Sequence, residues 1–124
     1  MEKLIVKQLA KNSGTCAVGF KTIYEDLEVR VGDGCTLAYY SDREPATVVE
    51  IGKNYVKVQI DKATRIDNNG MSDSQEYKIE RDENGVIRTF KRTRKGTYTD
   101  NGLSKDYGIR LHFGFRRKYY DYSF

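Results

Sequence analysis

The chain has 124 residues, of which 38% are apolar and 32% are charged, and its formal net charge at neutral pH is +4. This length suits one domain with a modest core, so we expect a single ligand-binding domain over residues 1–124. No apolar run is long enough for a membrane span or a signal peptide. Two cysteines, Cys16 and Cys35, are too few for a disulfide framework. We therefore predict a cytoplasmic protein with free thiols and no membrane partner.

The first third of the chain predicts strands separated by a glycine-rich turn. The stretch LEVRVGDGCTLAYYSD gives a strand, a GDG turn and a second strand that ends at Tyr39 and Tyr40. A short helix near residues 4–11, before these two strands, is a further possibility that the sequence allows. Pro45 lies in the stretch SDREPAT, which we predict to be a loop because proline has no amide proton for a strand ladder.

The clearest element is a β-hairpin over residues 46–61, ATVVEIGKNYVKVQID. Val56, Val58 and Ile60 alternate with polar residues, which is the period of a strand with one buried and one solvent-facing side. The turn residues GKN separate this run from the preceding apolar run VVEI. Two such runs around a short turn predict an antiparallel pair.

A second hairpin is predicted over residues 76–92, EYKIERDENGVIRTFKR. Asn84 and Gly85 form the residue pair that favours a tight turn with positive φ. The polar stretches 64–75 and 95–108 predict long loops, with a short helix near 72–77 as an alternative. The whole pattern predicts a mainly β fold, either a small antiparallel bent sheet or an open barrel of about five to seven strands, with room for one short helix.

The sequence offers little material for enzyme chemistry. Its one histidine, His112, lies between Leu111 and Phe113 in a strand-like run, so we expect it to have a structural role. One histidine and two cysteines are too few for a metal site or for thiol catalysis. The stretch VGDGCT lacks the lysine and the helix of a phosphate-binding loop. We therefore predict no catalytic residues, no metal and no cofactor.

The last third of the chain combines basic and aromatic residues. Between Arg88 and Lys118 there are ten Lys or Arg residues against two acidic residues. Such a segment points to an anionic ligand, and a solvated face with scattered counter-charges is the alternative. In LHFGFRR, we expect Leu111, Phe113 and Phe115 to face the core and the arginines to face outward. The final YYDYSF is too aromatic to be fully exposed, so it predicts a homo-oligomer interface.

Two kinds of anionic partner fit this basic and aromatic segment. A long groove with several stacking rings would suit single-stranded nucleic acid. A deep pocket with one or two rings and a few arginines would suit a small nucleotide. Because non-specific nucleic-acid binding needs many phosphate contacts, the modest net charge of +4 favours the pocket. Nucleic acid is therefore the less favoured partner, and a β module that binds single strands is the alternative function.

Three stretches of the sequence carry a resemblance to a known family. YYSDREPATVVEIGKNYVKVQID, RIDNNGMSDSQEY and RRKYYDYSF resemble segments of small phage-encoded proteins, the first family of Thoeris anti-defence proteins. The resemblance covers most of the chain from about Val31 onward. It implies a protein of the host cell cytoplasm that sequesters a cyclic ADP-ribose isomer, glycocyclic ADP-ribose, without cleaving it and so blocks Thoeris defence. It also implies a homodimer or higher homo-oligomer with the ligand recessed between subunits.

The same resemblance implies roles for individual residues. Phe90 corresponds to the aromatic residue that stacks on the ligand, and Arg65 and Arg117 correspond to the arginines that face its phosphates. Asn101 corresponds to a polar loop contact, and Arg116 is the next candidate for a phosphate ligand. For Phe90 a place in the core is the alternative, because it lies within a predicted strand.

Overall fold

A computed structural model of the chain describes residues 3–9, 24–100, 102 and 108–122. The regular secondary structure of these residues consists of ten β-strands. They are β1 (Lys3–Leu9), β2 (Tyr24–Arg30), β3 (Gly34–Ala38), β4 (Arg43–Ile51), β5 (Tyr55–Ile60), β6 (Lys62–Arg65), β7 (Tyr77–Glu80), β8 (Ile87–Arg92), β9 (Tyr98–Thr99) and β10 (Arg110–Phe113). None of the described residues forms a helix that could cross a membrane.

Six of these strands form a closed antiparallel barrel in the order β10, β3, β4, β5, β8, β9. The short strand β9 completes it, because Thr99 pairs with Lys91 of β8 on one side and with Arg110 of β10 on the other. The predicted mainly β fold is confirmed. Closure gives every barrel strand a neighbour on both sides, although β9 pairs with only two residues each of β8 and β10.

The barrel interior is filled by every second residue of its strands, as the period of two requires. Phe90 is among the most buried side chains, with 0% of its surface exposed, and Val56 lies opposite it on β5. The other buried apolar residues of the barrel are Cys35, Leu37, Ala46, Val48, Ile51, Val58, Tyr98, Leu111 and Phe113. A bulge between Val48 and Glu50 lets β4 bend around this core.

Two short antiparallel pairs stand outside the barrel. The β1–β2 pair buries Val6 and Val29 against the core, so the residues for which a short helix was considered, as far as Leu9, form a strand instead. Residues 10 and 11 lie outside the described part of the chain. The β6–β7 pair, called the β6–β7 ribbon below, spans the polar region between β5 and β8.

The predicted hairpin over residues 76–92 is wrong in its pairing. β7 pairs with β6 in the ribbon and β8 pairs with β5 in the barrel, so the two predicted partners belong to different sheets. Gly85 is also not among the described glycines with positive φ. Position 85 needs glycine for a different reason, which is space, because a Cβ at Gly85 would collide with the carbonyl oxygen of Ile60.

One further expectation about the first half of the chain is corrected. Pro45 lies within β4, opposite Thr36, and not in a loop. The carbonyl of Pro45 accepts a hydrogen bond from the amide of Asp61. This position in β4 therefore needs a backbone acceptor, which proline has, and not a backbone amide proton, which proline lacks. The strands on either side of the GDG turn do not pair with each other, since Gly32, with φ of 100°, redirects the chain from the β1–β2 pair into the barrel.

Residues 114–122, called the crossing segment below, leave β10 and run over the outside of β3 and β4. Gly114 has a φ of 94°, which turns the chain out of the strand, so Phe115 leaves the core face where it was expected. The Thr36 hydroxyl donates to the carbonyl of Phe115 at 2.8 Å. Tyr119 then pairs with Arg43 through two backbone hydrogen bonds. The crossing segment is thereby fixed to the outer wall of the barrel.

Candidate anion-binding pocket

A pocket of about 510 Å³ lies between the β1–β2 pair and one end of the barrel. Its walls come from three places: β1 and β2, the β4–β5 turn, and the β8–β9 turn. The lining residues are Leu4, Ile5, Val6, Asp26, Lys53, Arg92, Lys95, Gly96 and Tyr98. Small-molecule sites typically enclose about 300–1,000 Å³, so this pocket has the size for a nucleotide.

The β8–β9 turn holds two of the pocket's cations in place. Thr93 and Thr97 join across the turn through a backbone hydrogen bond of 2.8 Å and a contact of 2.6 Å between their hydroxyl oxygens. Gly96, with φ of 87°, allows the tight return between them. Arg92 and Lys95 therefore project from a turn whose backbone is already ordered, which lowers the entropy cost of using them in binding.

The charges of the pocket are unbalanced. Lys53, Arg92 and Lys95 bring three positive charges, and Asp26 brings one negative charge. Within the described part of the chain, none of the three cations lies within ion-pair distance of a carboxylate. A pyrophosphate or another phosphate group could neutralise this excess through charge-assisted hydrogen bonds.

The floor of the pocket is apolar and firm. Tyr98 is almost fully buried and contacts Phe113 edge-to-face, with ring centroids 5.7 Å apart. Burial raises the pKa of the Tyr98 hydroxyl, and Arg92 opposes that rise, so the group remains protonated at neutral pH. Leu4 and Val6 supply the facing apolar wall. The pocket thus places cations beside a small apolar floor, within a lining that is mostly polar.

Phe90 does not take part in this pocket or in any surface. Its ring is fully enclosed by the barrel core, and assembly with another subunit could only bury it further. The expected stacking role of Phe90 is therefore corrected to a structural role. The physical reason is the strand period, because Phe90 lies on the same side of the sheet as the buried Val56 opposite it.

Arg65 is bound within the chain. Its guanidinium makes two hydrogen bonds to Asp67, Nε to Oδ2 at 2.8 Å and Nη2 to Oδ1 at 2.9 Å. A third nitrogen donates to the hydroxyl of Tyr122 at 3.1 Å. The pKa of Asp67 is held far below its usual range. The hydrogen bonds from Arg65 are the largest cause, and two backbone amides that also donate to Asp67 add to the effect. Arg65 thus closes the ribbon against the crossing segment and has no fork left for a phosphate.

Arg116 is also engaged in an internal ion pair. Its Nε donates to Oδ2 of Asp61 at 2.8 Å, and its Nη2 donates to the hydroxyl of Thr47 at 3.0 Å. The Asp61 side chain is fully buried, and its other oxygen accepts from the same Thr47 hydroxyl at 2.7 Å. Gly34 provides the space for this arginine, since a Cβ there would lie 2.8 Å from Arg116 Cγ.

Arg117 is the one predicted phosphate ligand whose guanidinium makes no ion pair in the described residues. Its guanidinium carbon lies 5.8 Å from the ring centroid of Tyr119, while its backbone amide donates to Thr36. Asn101 lies outside the described part of the chain. The predicted residues do not converge: Phe90 is inside the barrel, Arg65 is on the ribbon, and Arg116 and Arg117 lie on the crossing segment.

The C-terminal tyrosines have partners within the chain. The Tyr119 hydroxyl donates to Asp73 at 2.7 Å, which, together with burial, raises the pKa of Tyr119 to about 12. Tyr120 exchanges two hydrogen bonds with Gln75, at 3.1 Å from its amide and 2.6 Å to its carbonyl. Tyr122 contacts Arg65 and Tyr120. These contacts dock the β6–β7 ribbon onto the crossing segment, and Phe124 lies outside the described residues.

The sequence signal for the pocket was present in KRTRKGTY, residues 91–98. It supplies Arg92, Lys95 and Tyr98, but the spacing alone could not separate these residues from the other cations of the basic segment. Lys53 and the β1 residues come from parts of the chain far away in sequence. Cys35, in contrast, is a buried thiol whose pKa is raised to about 12 by burial, so it stays protonated at neutral pH.

Comparison with known proteins adds no assignment to this geometry. No family model matches the chain, no curated protein matches it, and no solved structure matches it. The function is therefore argued from the pocket, the charges around it and the chemistry that they allow.

Proposed function

We propose that the chain binds and sequesters a nucleotide-sized anion, a cyclic ADP-ribose isomer such as glycocyclic ADP-ribose, and does not cleave it. The observation that carries the proposal is the pocket of about 510 Å³ in which Lys53, Arg92 and Lys95 lie beside an apolar floor. In a host cell cytoplasm, such binding would remove the signal of Thoeris defence.

Two properties of the ligand class match this pocket. A cyclic ADP-ribose isomer carries a pyrophosphate with two negative charges. The three cations and one carboxylate of the pocket leave a net charge of two positive units, which would neutralise the pyrophosphate. It also carries an adenine ring, and the apolar wall of Leu4 and Val6 beside Tyr98 would shield one face of that ring from water. Volume, charge and the apolar floor therefore support this class of ligand.

Sequestration fits the chemistry of the lining better than turnover. The lining residues include one carboxylate, Asp26, and no cysteine, histidine or serine among the described residues. Hydrolysis at an anomeric carbon commonly uses two carboxylates at a fixed separation. The proposal is therefore tight binding with release of intact ligand when the protein is denatured.

Isothermal titration calorimetry with cyclic ADP-ribose isomers tests the proposal, with linear ADP-ribose as the comparison ligand. Arg92→Ala and Lys95→Ala should each weaken binding about tenfold to a hundredfold, because each removes a charge-assisted contact. Arg94→Ala is the matched control, since Arg94 is exposed in the same turn and does not line the pocket.

The ligand recovered after heat denaturation should be chromatographically unchanged. Binding that is equally strong in Arg92→Ala, Lys95→Ala and Arg94→Ala would show that the pocket is not the site. Steady conversion of the ligand to linear ADP-ribose would replace sequestration by hydrolysis.

We also propose that the protein acts as a homodimer or higher homo-oligomer. The supporting observation is the amount of apolar surface left exposed in one chain, which includes Ile5, Tyr40, Ile66, Met71 and Val86. Light scattering coupled to size-exclusion chromatography measures the assembly directly, and a mass equal to one chain over the micromolar range would contradict it.

A further inference from the structure

A second basic region lies on the outer wall of the barrel, away from the pocket. Arg110 on β10 is paired with Ala38 on β3, which is paired in turn with Arg43 on β4. Neighbouring strands are about 4.8 Å apart, so the backbones of the two arginines are about 10 Å apart with a small residue between them. Arg117 of the crossing segment completes a group of three, called the outer arginines below.

The outer arginines are close enough to repel one another. The pKa of Arg43 is lowered first by burial and then by the charges of Arg110 and Arg117, with Asp42 acting in the opposite direction. Arg43 donates only to carbonyls, those of Tyr39 at 3.0 Å and Asp42 at 2.8 Å. In the described residues, none of the three arginines forms a salt bridge with a carboxylate.

Their neighbours in the crossing segment are different. Arg116 is neutralised by Asp61, and Lys118 is neutralised by Glu44. The crossing segment therefore places two cations in internal ion pairs, whereas Arg117 is exposed and lies over the ring of Tyr119. Because the repulsion among the outer arginines is opposed only in part, by Asp42, an anion bound to them would relieve it.

An aromatic pair, of which one ring is exposed and the other partly buried, lies on the same wall. His112 is on β10 two residues from Arg110, and its ring stacks on that of Phe115, with centroids 6.4 Å apart and planes inclined by 29°. Phe115 is 45% exposed, although it is a large apolar residue. Its position is fixed, because its carbonyl accepts from Thr36. A stacked ring with an open surface beside cations suits a nucleic-acid base.

We propose that this outer wall, formed by Arg43, Arg110, Arg117 and the His112–Phe115 pair, binds single-stranded nucleic acid. The wall of a barrel is convex, so it favours an extended ligand that runs across it over a small molecule that must be enclosed. A single strand offers base faces to Phe115 and phosphates to the arginines at once. A duplex keeps its base faces stacked internally and could use only the arginines.

Fluorescence anisotropy with a labelled 20-nucleotide oligo(dT) and the full chain tests this proposal. We expect a dissociation constant of about 1–100 µM at low salt, with affinity falling linearly on a logarithmic scale as salt is raised. A duplex of the same length should bind more weakly under the same conditions.

Two kinds of variant separate charge from stacking. Arg110→Ala and Arg117→Ala should each weaken binding and reduce the salt slope by about 0.7, the contribution of one phosphate contact on a single strand. Phe115→Ala should weaken binding by about tenfold and leave the salt slope unchanged, because stacking releases no counterions. Lys62→Ala and Ile87→Ala are matched controls, since both residues are exposed on strands outside the proposed surface.

The outcomes that overturn the proposal are distinct. They are an absence of binding at 50 mM salt, duplex binding at least as tight as single-strand binding, or equal effects of Phe115→Ala and Ile87→Ala. Arg92→Ala in the pocket should leave oligonucleotide binding unchanged. Failure of this proposal would therefore leave the proposed pocket function untouched, and the reverse also holds.

Discussion

Arg116 and Asp61 form an ion pair that joins the crossing segment to the end of β5, with 2.8 Å between Nε and Oδ2. The carboxylate is fully buried, whereas 36% of the arginine side chain is exposed. The two residues are 55 positions apart in sequence, so the pair closes a long loop over the outside of β3 and β4. Removing the arginine would leave a buried negative charge whose remaining side-chain hydrogen bond, among the described residues, comes from Thr47.

We expect Arg116→Ala to lower the free energy of unfolding by about 1–3 kcal/mol, below the usual cost of breaking a fully buried pair because the arginine is partly exposed to water. Arg117→Ala is the adjacent control. It removes the same side chain without an ion pair, so its effect should stay within about 0.5 kcal/mol. Urea denaturation measures both, and equal effects would contradict the importance of the Asp61 contact.

Gly34→Ala should act through the same arginine. The added methyl group would lie 2.8 Å from Arg116 Cγ and 2.6 Å from Nη1, so the side chain must move away from Asp61. We expect destabilisation of about 1–2 kcal/mol in the natural chain and much less when Arg116 is already alanine, which a double-mutant cycle measures as coupling. Additive effects of the two changes would mean that Gly34 matters for another reason.

Phe90→Ala should behave as a core substitution. The ring is completely buried, so its removal should cost about 3–5 kcal/mol of stability and lower the melting temperature strongly. Ligand affinity, measured at a temperature where the variant is still folded, should change little. Calorimetry gives both quantities, and a normal melting temperature with lost affinity would instead restore a role for Phe90 in binding.

His112 should give the protein a pH-dependent stability in the weakly acidic range. Burial lowers the pKa of His112, and the charges of Arg110 and Arg43 lower it further. Since the folded-state pKa lies below the unfolded value of about 6.5, stability is complete above that pH and declines as the pH falls below it. His112 is the only histidine, so proton NMR can follow its titration without ambiguity.

The matched variant is His112→Asn, which carries no titrating group. Its unfolding free energy should be flat just below about pH 6.5, where the natural chain begins to lose stability. The Asp67 contribution should be lost only at lower pH, because the folded-state pKa of Asp67 is far below that of the unfolded chain. A His112 resonance that titrates above pH 6.5 would reverse the sign of this expectation.

A chain that ends after Lys118 should lose the docking of the β6–β7 ribbon. This deletion removes the bonds of Tyr119 to Asp73 and of Tyr120 to Gln75, while the barrel strands stay complete. Hydrogen exchange should therefore accelerate in residues 62–80 and remain slow in β3, β4 and β5. Unchanged protection in the ribbon would show that these contacts do not hold it.

Individual strands of this fold were easier to predict than their partners. The alternation of Val56, Val58 and Ile60 located β5 and its hairpin with β4, because a local period and a local turn determine both. β7 and β8 were also located, but their pairing was not. β7 pairs with β6, which begins just after Asp61, whereas β8 pairs with β5, which ends just before it, and the choice depends on how the ribbon leaves the barrel.

The predicted site residues separated for a related reason. A sequence shows that Arg116 and Arg117 are cationic, but only the fold shows that Asp61 forms an ion pair with the first, whereas the second forms none with the described residues. In the same way, the period of two placed Leu111 and Phe113 correctly in the core. The period of two failed at Phe115 because Gly114, which follows Phe113, turns the chain out of the strand.

The pairing of β3 with β10 also bears on how this protein folds during synthesis. Leu37 of β3 lies opposite Leu111 of β10, so an early barrel strand must wait for the last one. Until then β3 has an open edge, and contacts between such distant parts of a chain form slowly. The emerging polypeptide therefore cannot close its barrel until residues 110–113 have left the ribosome, so barrel closure follows the local β4–β5 hairpin in time.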